Sequence, residues 1–185
     1  MTTTTNVTDA TDTKDVTDKA ANCSILYQLQ QIVSPGNLIT DSAKKIAFET
    51  EWRGNRFGSA IGVIFPTTVS QIQQIINLCQ THKIGLIPQG GNTSTCAGAV
   101  PLNLPVQQLI INLSKLNKIL ELNLQNNSIC VEAGCTLQQV NAAAIEAELY
   151  FPLSIGSSGS CQIGGNIATN AGGIHVIKYG MMRNL

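Results

Sequence analysis

Two stretches of this 185-residue chain concentrate the residue types that could do chemistry. One runs Pro88, Gln89, Gly90, Gly91, Asn92, Thr93, Ser94, Thr95, directly after the apolar run at 84–87. The other starts at Gly156-Ser157-Ser158-Gly159-Ser160-Cys161-Gln162 and continues through Gly164, Gly165, Asn166, Thr169 and Asn170 to Gly172 and Gly173. Both are uncharged and set glycine beside hydroxyl and amide side chains. Glycine has no Cβ, so its backbone can approach a ligand closely and reach left-handed angles. Successive backbone N–H groups can then converge on phosphate oxygens. Asparagine adds a donor and an acceptor, suited to a ring system edged with nitrogen and carbonyl groups. The chemistry indicated is the wrapping of a large ligand with a phosphate-bearing portion.

Other reactive readings are weaker. No Lys-Ser/Thr follows Gly90-Gly91, so the first stretch is not a Walker loop. It follows a second strand rather than opening the first helix of a βαβ unit, so it is not a dinucleotide fingerprint. Gly156 to Gly159 lacks the Gly-x-Ser-x-Gly form of a nucleophile elbow. Cys161 reads as a small packing residue beside the ligand more readily than as a reactive thiol. His175 is the one residue near the stretches suited to proton transfer at neutral pH, although a surface histidine is the commoner case. Lys178, Tyr179 and Arg183 supply polar reach near the end of the chain.

The elements that must position these stretches alternate in type. Ile25, Leu26, Leu29, Ile32 and Val33 have helical spacing, and Ser34-Pro35-Gly36-Asn37 ends that run. A short extended piece at 38–39, a turn or helix at 42–50 and a loop at 52–58 follow. A strand at 61–65 leads to a helix at 69–81 capped by Thr67 or Thr68, with Ile72, Ile75, Ile76 and Cys79 inward. A second strand at 84–87 feeds the first glycine stretch. Further strands are expected at 109–113, 119–124 and 128–133, with a turn at Asn126-Asn127. A helix capped by Thr136 should run over 137–148 with Val140, Ala144 and Ile145 inside. Residues 1–21 are threonine-rich, with Asp9, Asp12, Asp15 and Asp18 at every third position, and read as a disordered tail. The final residues carry no cap or polar tail, so the chain reads as cut rather than finished.

Composition narrows the classes. Eleven basic and eleven acidic residues give no basic stripe for nucleic acid. Six cysteines without a CxxC pair, and two distant histidines, exclude the usual zinc patterns, so no metal site is expected. The cysteines read mostly as small buried hydrophobes in a reducing compartment. No apolar run reaches membrane-spanning length and no secretory signal opens the chain, which points to the cytoplasm.

On these motifs the chain resembles the amino-terminal half of the flavin-binding domain of FAD-linked 2-hydroxyacid dehydrogenases and oxidases. These include D-2-hydroxyglutarate dehydrogenase, D-lactate dehydrogenase and glycolate oxidase FAD-subunit types, within the vanillyl-alcohol oxidase and p-cresol methylhydroxylase superfamily. The matching pieces are Trp52-Arg53-Gly54, Pro66-Thr67-Thr68-Val69, the segment 87–93, Val131-Glu132-Ala133-Gly134, the segment 151–173, and Lys178-Tyr179-Gly180. The resemblance covers about residues 23–185 and is more specific for the superfamily than for a substrate.

It implies an α+β fold, a two-lobed FAD-binding domain truncated in the second lobe. The first lobe would span 22–108, and the start of the second would span 109–185. It implies FAD contacts at Pro88, Gln89, Gly90, Gly91, Asn92, Thr93 and Ser94, which wrap the pyrophosphate. It implies further contacts at Pro152, Gly156, Ser157, Ser160, Cys161, Gly164, Gly165, Asn166, Thr169, Asn170 and Gly173, which line the rest of the cofactor. The implied reaction is oxidation of a small-molecule D-2-hydroxyacid to the 2-oxoacid, with hydride transfer to a non-covalently bound flavin and then electron transfer to an acceptor. A sugar or lactone oxidase of the same superfamily, or a truncated non-catalytic module, is the alternative. No catalytic residue is expected within the chain, and the chain alone is expected to be inactive, weakly stable or self-associating. Ser94 and Ala97 stand where relatives place glycine, a strain of about 1 kcal/mol wherever φ is positive.

Overall fold

A computed structural model of the chain describes residues 24–185, so the expectation for residues 1–21 lies outside the described residues. Helix α1 is described over residues 24–32 and ends ahead of Pro35 and Gly36, where φ is 84°. The elements that follow are β1 (Leu38–Ile39), α2 (Ser42–Glu49), β2 (Gly62–Ile64), α3 (Val69–Thr81), β3 (Gly85–Gln89) and β4 (Gln108–Asn112). After them come β5 (Ile119–Asn123), β6 (Ser128–Val131), α4 (Leu137–Glu146), α5 (Ile163–Ala168), α6 (Val176–Tyr179) and a 3-10 turn at Met182–Asn184.

Four strands form one sheet in the order β1-β2-β4-β3, with β1 antiparallel and the other three parallel. Side chains alternate across a strand, and the two faces of this sheet use that alternation. Ile64, Leu109 and Ile111 face one way and pack with Ile25 and Leu29 of α1, Val33 just after it, and Ile75 and Cys79 of α3. Val63, Phe65 and Ile110 face the other way and pack with Ala60 and the α2 residue Phe48. The Phe48 and Phe65 rings meet edge-on with centroids 5.5 Å apart. A separate core gathers Cys135, Leu137, Val140, Leu153, Cys161 and Ile163 beside the antiparallel β5–β6 pair.

The expected boundary at 108/109 does not coincide with the sheet. Strand β4 lies between β2 and β3, so it belongs with the residues before it. Hydrophobic spacing marked β4 as a strand but carried no information about its neighbours.

Helix ends follow side-chain chemistry. Thr68 caps α3 by accepting from the Gln71 amide at 3.2 Å. Thr136 caps α4 in a reciprocal box with Gln139. The β5–β6 turn is held by Asn123 Oδ1, which accepts from the amides of Gln125 and Asn126, while Asn127 takes φ 50°. Ile76 and Ile145, expected inside, are exposed. Each sits one residue, about 100° of helical rotation, from a buried neighbour, Ile75 or Ala144.

Burial pushes the Cys79 thiol up to about 11 and raises that of Cys135 as well. Among the described residues Cys79, Cys135 and Cys161 are buried, while Cys96 and Cys130 are exposed.

Candidate functional site

The first glycine stretch leaves the carboxyl end of β3, the same end of the sheet where β4 finishes at Asn112. Parallel sheets place ligand-binding loops at that end. Its base is a closed amide network. Gln89, 1% exposed, donates from Nε2 to the carbonyls of Phe48 (2.8 Å) and Ala99 (2.7 Å). Its Oε1 accepts from Asn112 Nδ2 at 3.1 Å. Asn112 Oδ1 in turn accepts from the Ser114 amide at 3.1 Å. Gln89, expected to touch the cofactor, is therefore committed to the protein at its side chain and holds the start of the loop.

Above this base the loop presents free donors. The backbone N–H groups of Gly91, Asn92, Thr93, Ser94 and Thr95 donate to no group among the described residues. Residues 91–94 are half-buried. Asn92 takes φ 50°, and its Nδ2 donates to the Thr50 carbonyl at 2.8 Å. Successive unpaired backbone amides of this kind can converge on an anion. Pro88 is exposed at the rim.

The second stretch meets the first directly. A Cβ built on Gly91 would lie 1.8 Å from the Ser160 carbonyl oxygen, and one on Gly90 would lie 3.2 Å from Gln162 Oε1. Thus residues 90–91 and 160–162 share one surface. Gln162, which sequence reasoning passed over, is 7% exposed and its Oε1 has no hydrogen-bond partner. Its position between two glycine runs was the available signal.

The remaining expected contacts divide by environment. Gly156, Ser160, Gly165 and Thr169 are exposed, while Ser157 and Asn170 are half-buried. The Ser157 carbonyl accepts from the Ser160 and Cys161 amides at 2.9 and 2.8 Å. Asn170 takes φ 48°, and its Oδ1 accepts from the Arg183 amide at 3.0 Å. Cys161 and Asn166 are 3% and 5% exposed and contact each other, with Asn166 Nδ2 donating to Sγ at 3.7 Å. Gly164 packs on Ala133, and a Cβ on Gly173 would lie 2.3 Å from the Ser154 carbonyl oxygen. These two glycines allow chain to pass chain.

Pro152 and Gly164 also line an apolar cavity of about 490 Å³ with Ile129, Val131, Phe151 and Met182. That cavity lies apart from the free amides of 91–95. Its lining is mainly apolar, although Asn127, Ser128 and Tyr150 also border it, so the run of free amides, not the larger void, is the candidate anion site.

His175 is engaged: its Nδ1 and the Tyr150 hydroxyl are 2.9 Å apart. Tyr179 packs edge-on against both rings, and Lys178 Nζ lies 4.9 Å from the Tyr179 ring centroid. Among the described residues no cluster of three or more His, Cys, Asp or Glu could hold a metal, and no helix is long and apolar enough to cross a membrane.

Free amides beside a second glycine stretch are a candidate site for a phosphate-bearing cofactor, and comparison with known proteins specifies the cofactor. The family described as FAD binding domain matches residues 60–185, and the chain belongs to it. Its superfamily is that of vanillyl-alcohol oxidase and p-cresol methylhydroxylase, and it is related to the D-2-hydroxyacid dehydrogenases and oxidases.

The chain is 35% identical over 87% of its length to D-2-hydroxyglutarate dehydrogenase of Stutzerimonas stutzeri. It is 32% identical over 83% of its length to the mitochondrial D-2-hydroxyglutarate dehydrogenase of Arabidopsis thaliana. It spans 34% and 27% of those two proteins, respectively. Among solved structures, an alkyldihydroxyacetonephosphate synthase superposes with a TM-score of 0.78 at 17% identity, covering 87% of this chain and 31% of that one. p-Cresol methylhydroxylase superposes at 0.66 with 24% identity, covering 81% and 29%. These likenesses establish the mixed α+β fold, of which the chain is part.

The cofactor class is FAD. The five free amides and the orphaned Gln162 oxygen fit a group with phosphates and a polar ring edge.

The expected cytoplasmic setting is overturned. Relatives from Arabidopsis, rice, rat, cattle and zebrafish are named mitochondrial. Cysteine usage of this kind suits a mitochondrial matrix equally well, so it could not separate the two compartments.

Proposed function

We propose that this chain is the flavin-holding part of an oxidoreductase that converts a D-2-hydroxyacid to the 2-oxoacid. The observation that carries the reading is the run of five unpaired amides at 91–95 in contact with the second glycine stretch. The names of the relatives support the substrate class. Bound flavin supplies the two-electron oxidant for such a reaction.

The chain's own share is binding and orientation. Gly90, Gly91, Asn92, Thr93 and Ser94 hold the pyrophosphate through their backbone. Gly156, Ser157, Ser160, Gly165, Thr169 and Asn170 line the remainder, and the Gln162 oxygen accepts from the ligand. Gln89, Cys161, Asn166, Gly164 and Gly173 support these positions from within. The chain divides after Asn112, with the four-stranded sheet on one side and the β5–β6 core on the other. No proton-transfer residue is assigned within 24–185, because His175 Nδ1 is engaged by Tyr150.

The test is a substrate screen on the complete reading frame's product, reconstituted with FAD. Anaerobic flavin bleaching by D-2-hydroxyglutarate, D-lactate or glycolate is expected. Bleaching by sugar lactones alone would overturn the hydroxyacid reading.

A further inference from the structure

Residues 50–58 form a tight hairpin that carries four large exposed side chains, Trp52, Arg53, Arg56 and Phe57. Glu51, 4% exposed, turns its carboxylate inward and accepts from the amides of Arg53 (2.9 Å) and Asn55 (3.1 Å). The Glu51 amide donates to the Arg56 carbonyl at 2.9 Å, the Gly54 amide donates to the Glu51 carbonyl at 2.9 Å, and Thr50 bridges Phe57. Gly54 takes φ 74°. The hairpin is anchored to the first glycine loop by Asn92 on the Thr50 carbonyl.

This rigid frame holds Trp52 70% and Phe57 68% exposed. Arg53 and Arg56 are exposed beside them. Among the described residues the one ion pair is Lys45–Glu49, and neither guanidinium has a carboxylate partner. Exposed large aromatics lose solvation entropy without return, and fixing them on a stiff turn is the arrangement found at binding hot spots. Arginine pairs with carboxylates bidentately, which gives such a patch both sign and geometry. A membrane surface would call for a wider basic field, and the chain's formal net charge is zero.

We propose that the 50–58 hairpin is a docking site for an acidic protein segment, one that offers carboxylates to Arg53 and Arg56 and apolar surface to Trp52 and Phe57. The proposal stands independently of the flavin reading.

Trp52 is the chain's sole tryptophan, so its emission reports this hairpin alone. The experiment titrates the chain at low salt with a peptide alternating glutamate and leucine, beside a peptide alternating lysine and leucine. The expected result is a saturable blue shift with the acidic peptide, weakened by salt. Arg53→Glu with Arg56→Glu should weaken it at least tenfold and transfer the response to the lysine peptide. Should that pair fail to fold, Arg53→Gln with Arg56→Gln should still weaken acidic-peptide binding while leaving the free emission unchanged.

No Trp52 response to the acidic peptide, or an equal response to both peptides, would overturn the proposal. So would a response to phosphatidylserine vesicles in place of the peptide. A red shift of free Trp52 after Asp9, Asp12, Asp15 and Asp18 are changed to asparagine would make the chain's own acidic stretch the occupant and refute a partner. Loss of peptide binding in the product of a longer reading frame would assign the surface to the rest of that protein, with the same consequence.

Discussion

Gly91 and Ser160 are in backbone contact across sixty-nine positions of sequence: a Cβ on the first would sit 1.8 Å from the carbonyl oxygen of the second. What reads as two separate glycine loops is one surface. The contact needs a glycine because any side chain at 91 would push residues 160–161 away. The free amides at 91–95 owe their position to it.

Gly91→Ala is therefore expected to destabilise the chain by about 3 kcal/mol, the upper end of the usual cost of forced overpacking, because the methyl meets backbone. Gly90→Ala meets the flexible end of Gln162 and should cost less than about 1 kcal/mol. Urea denaturation of the two variants checks the order. Equal effects would remove the Gly91–Ser160 contact as the joint between the loops.

Gly165 sits in α5 with open space where its Cβ would be. Gly165→Ala should raise stability by about 0.5–1 kcal/mol through helix propensity. The same methyl should weaken FAD retention if this face lines the cofactor. Unchanged FAD retention alongside the gain in stability would take Gly165 out of the site.

Ala97 takes φ 56°, whereas Ser94 is not among the residues of positive φ. Ala97→Gly should stabilise by about 0.5–1 kcal/mol, as left-handed strain is relieved against some added unfolded-state entropy. Ser94→Gly should bring no gain. Thermal midpoints of the two variants measure the difference, and a larger gain at 94 would contradict the backbone geometry.

Cys79 carries a pH prediction. Its folded value of about 11 lies above the unfolded 9.0, so the folded thiol keeps its proton where the unfolded one loses it. The resulting stability is fully present below pH 9 and is lost as pH rises through about 11, an effect on the order of 1–3 kcal/mol. Cys79→Ala lowers stability at neutral pH but should flatten the decline above pH 9. Parallel curves for the two proteins would show that Cys79 does not contribute.

Much of this was legible beforehand. The spacing of Ile75 and Cys79, the caps at Thr68 and Thr136 and the Asn126-Asn127 turn are local signals, and the structure follows them. The pairing of β4 between β2 and β3 is not local: apolar strands of similar composition carry no label for their neighbours. The roles of the glycines were half legible. Their density announced close approach, but Gly91, Gly164 and Gly173 approach other backbone, whereas Gly156 and Gly165 face open space. Gln89 and Gln162 have the same side chain and opposite fates, one saturated in the core and one left with an unpaired oxygen, because only the fold sets what each amide can reach.

The central claim is that the two glycine stretches together hold FAD. Its most direct measurement is the visible absorbance spectrum of the 185-residue chain and of the longer reading frame's product, after incubation with excess FAD and removal of free cofactor. The account predicts retained oxidised-flavin bands in the longer product at least, lost on Gly91→Ala. Colourless protein from both, or bands that persist unchanged in folded Gly91→Ala, would contradict it.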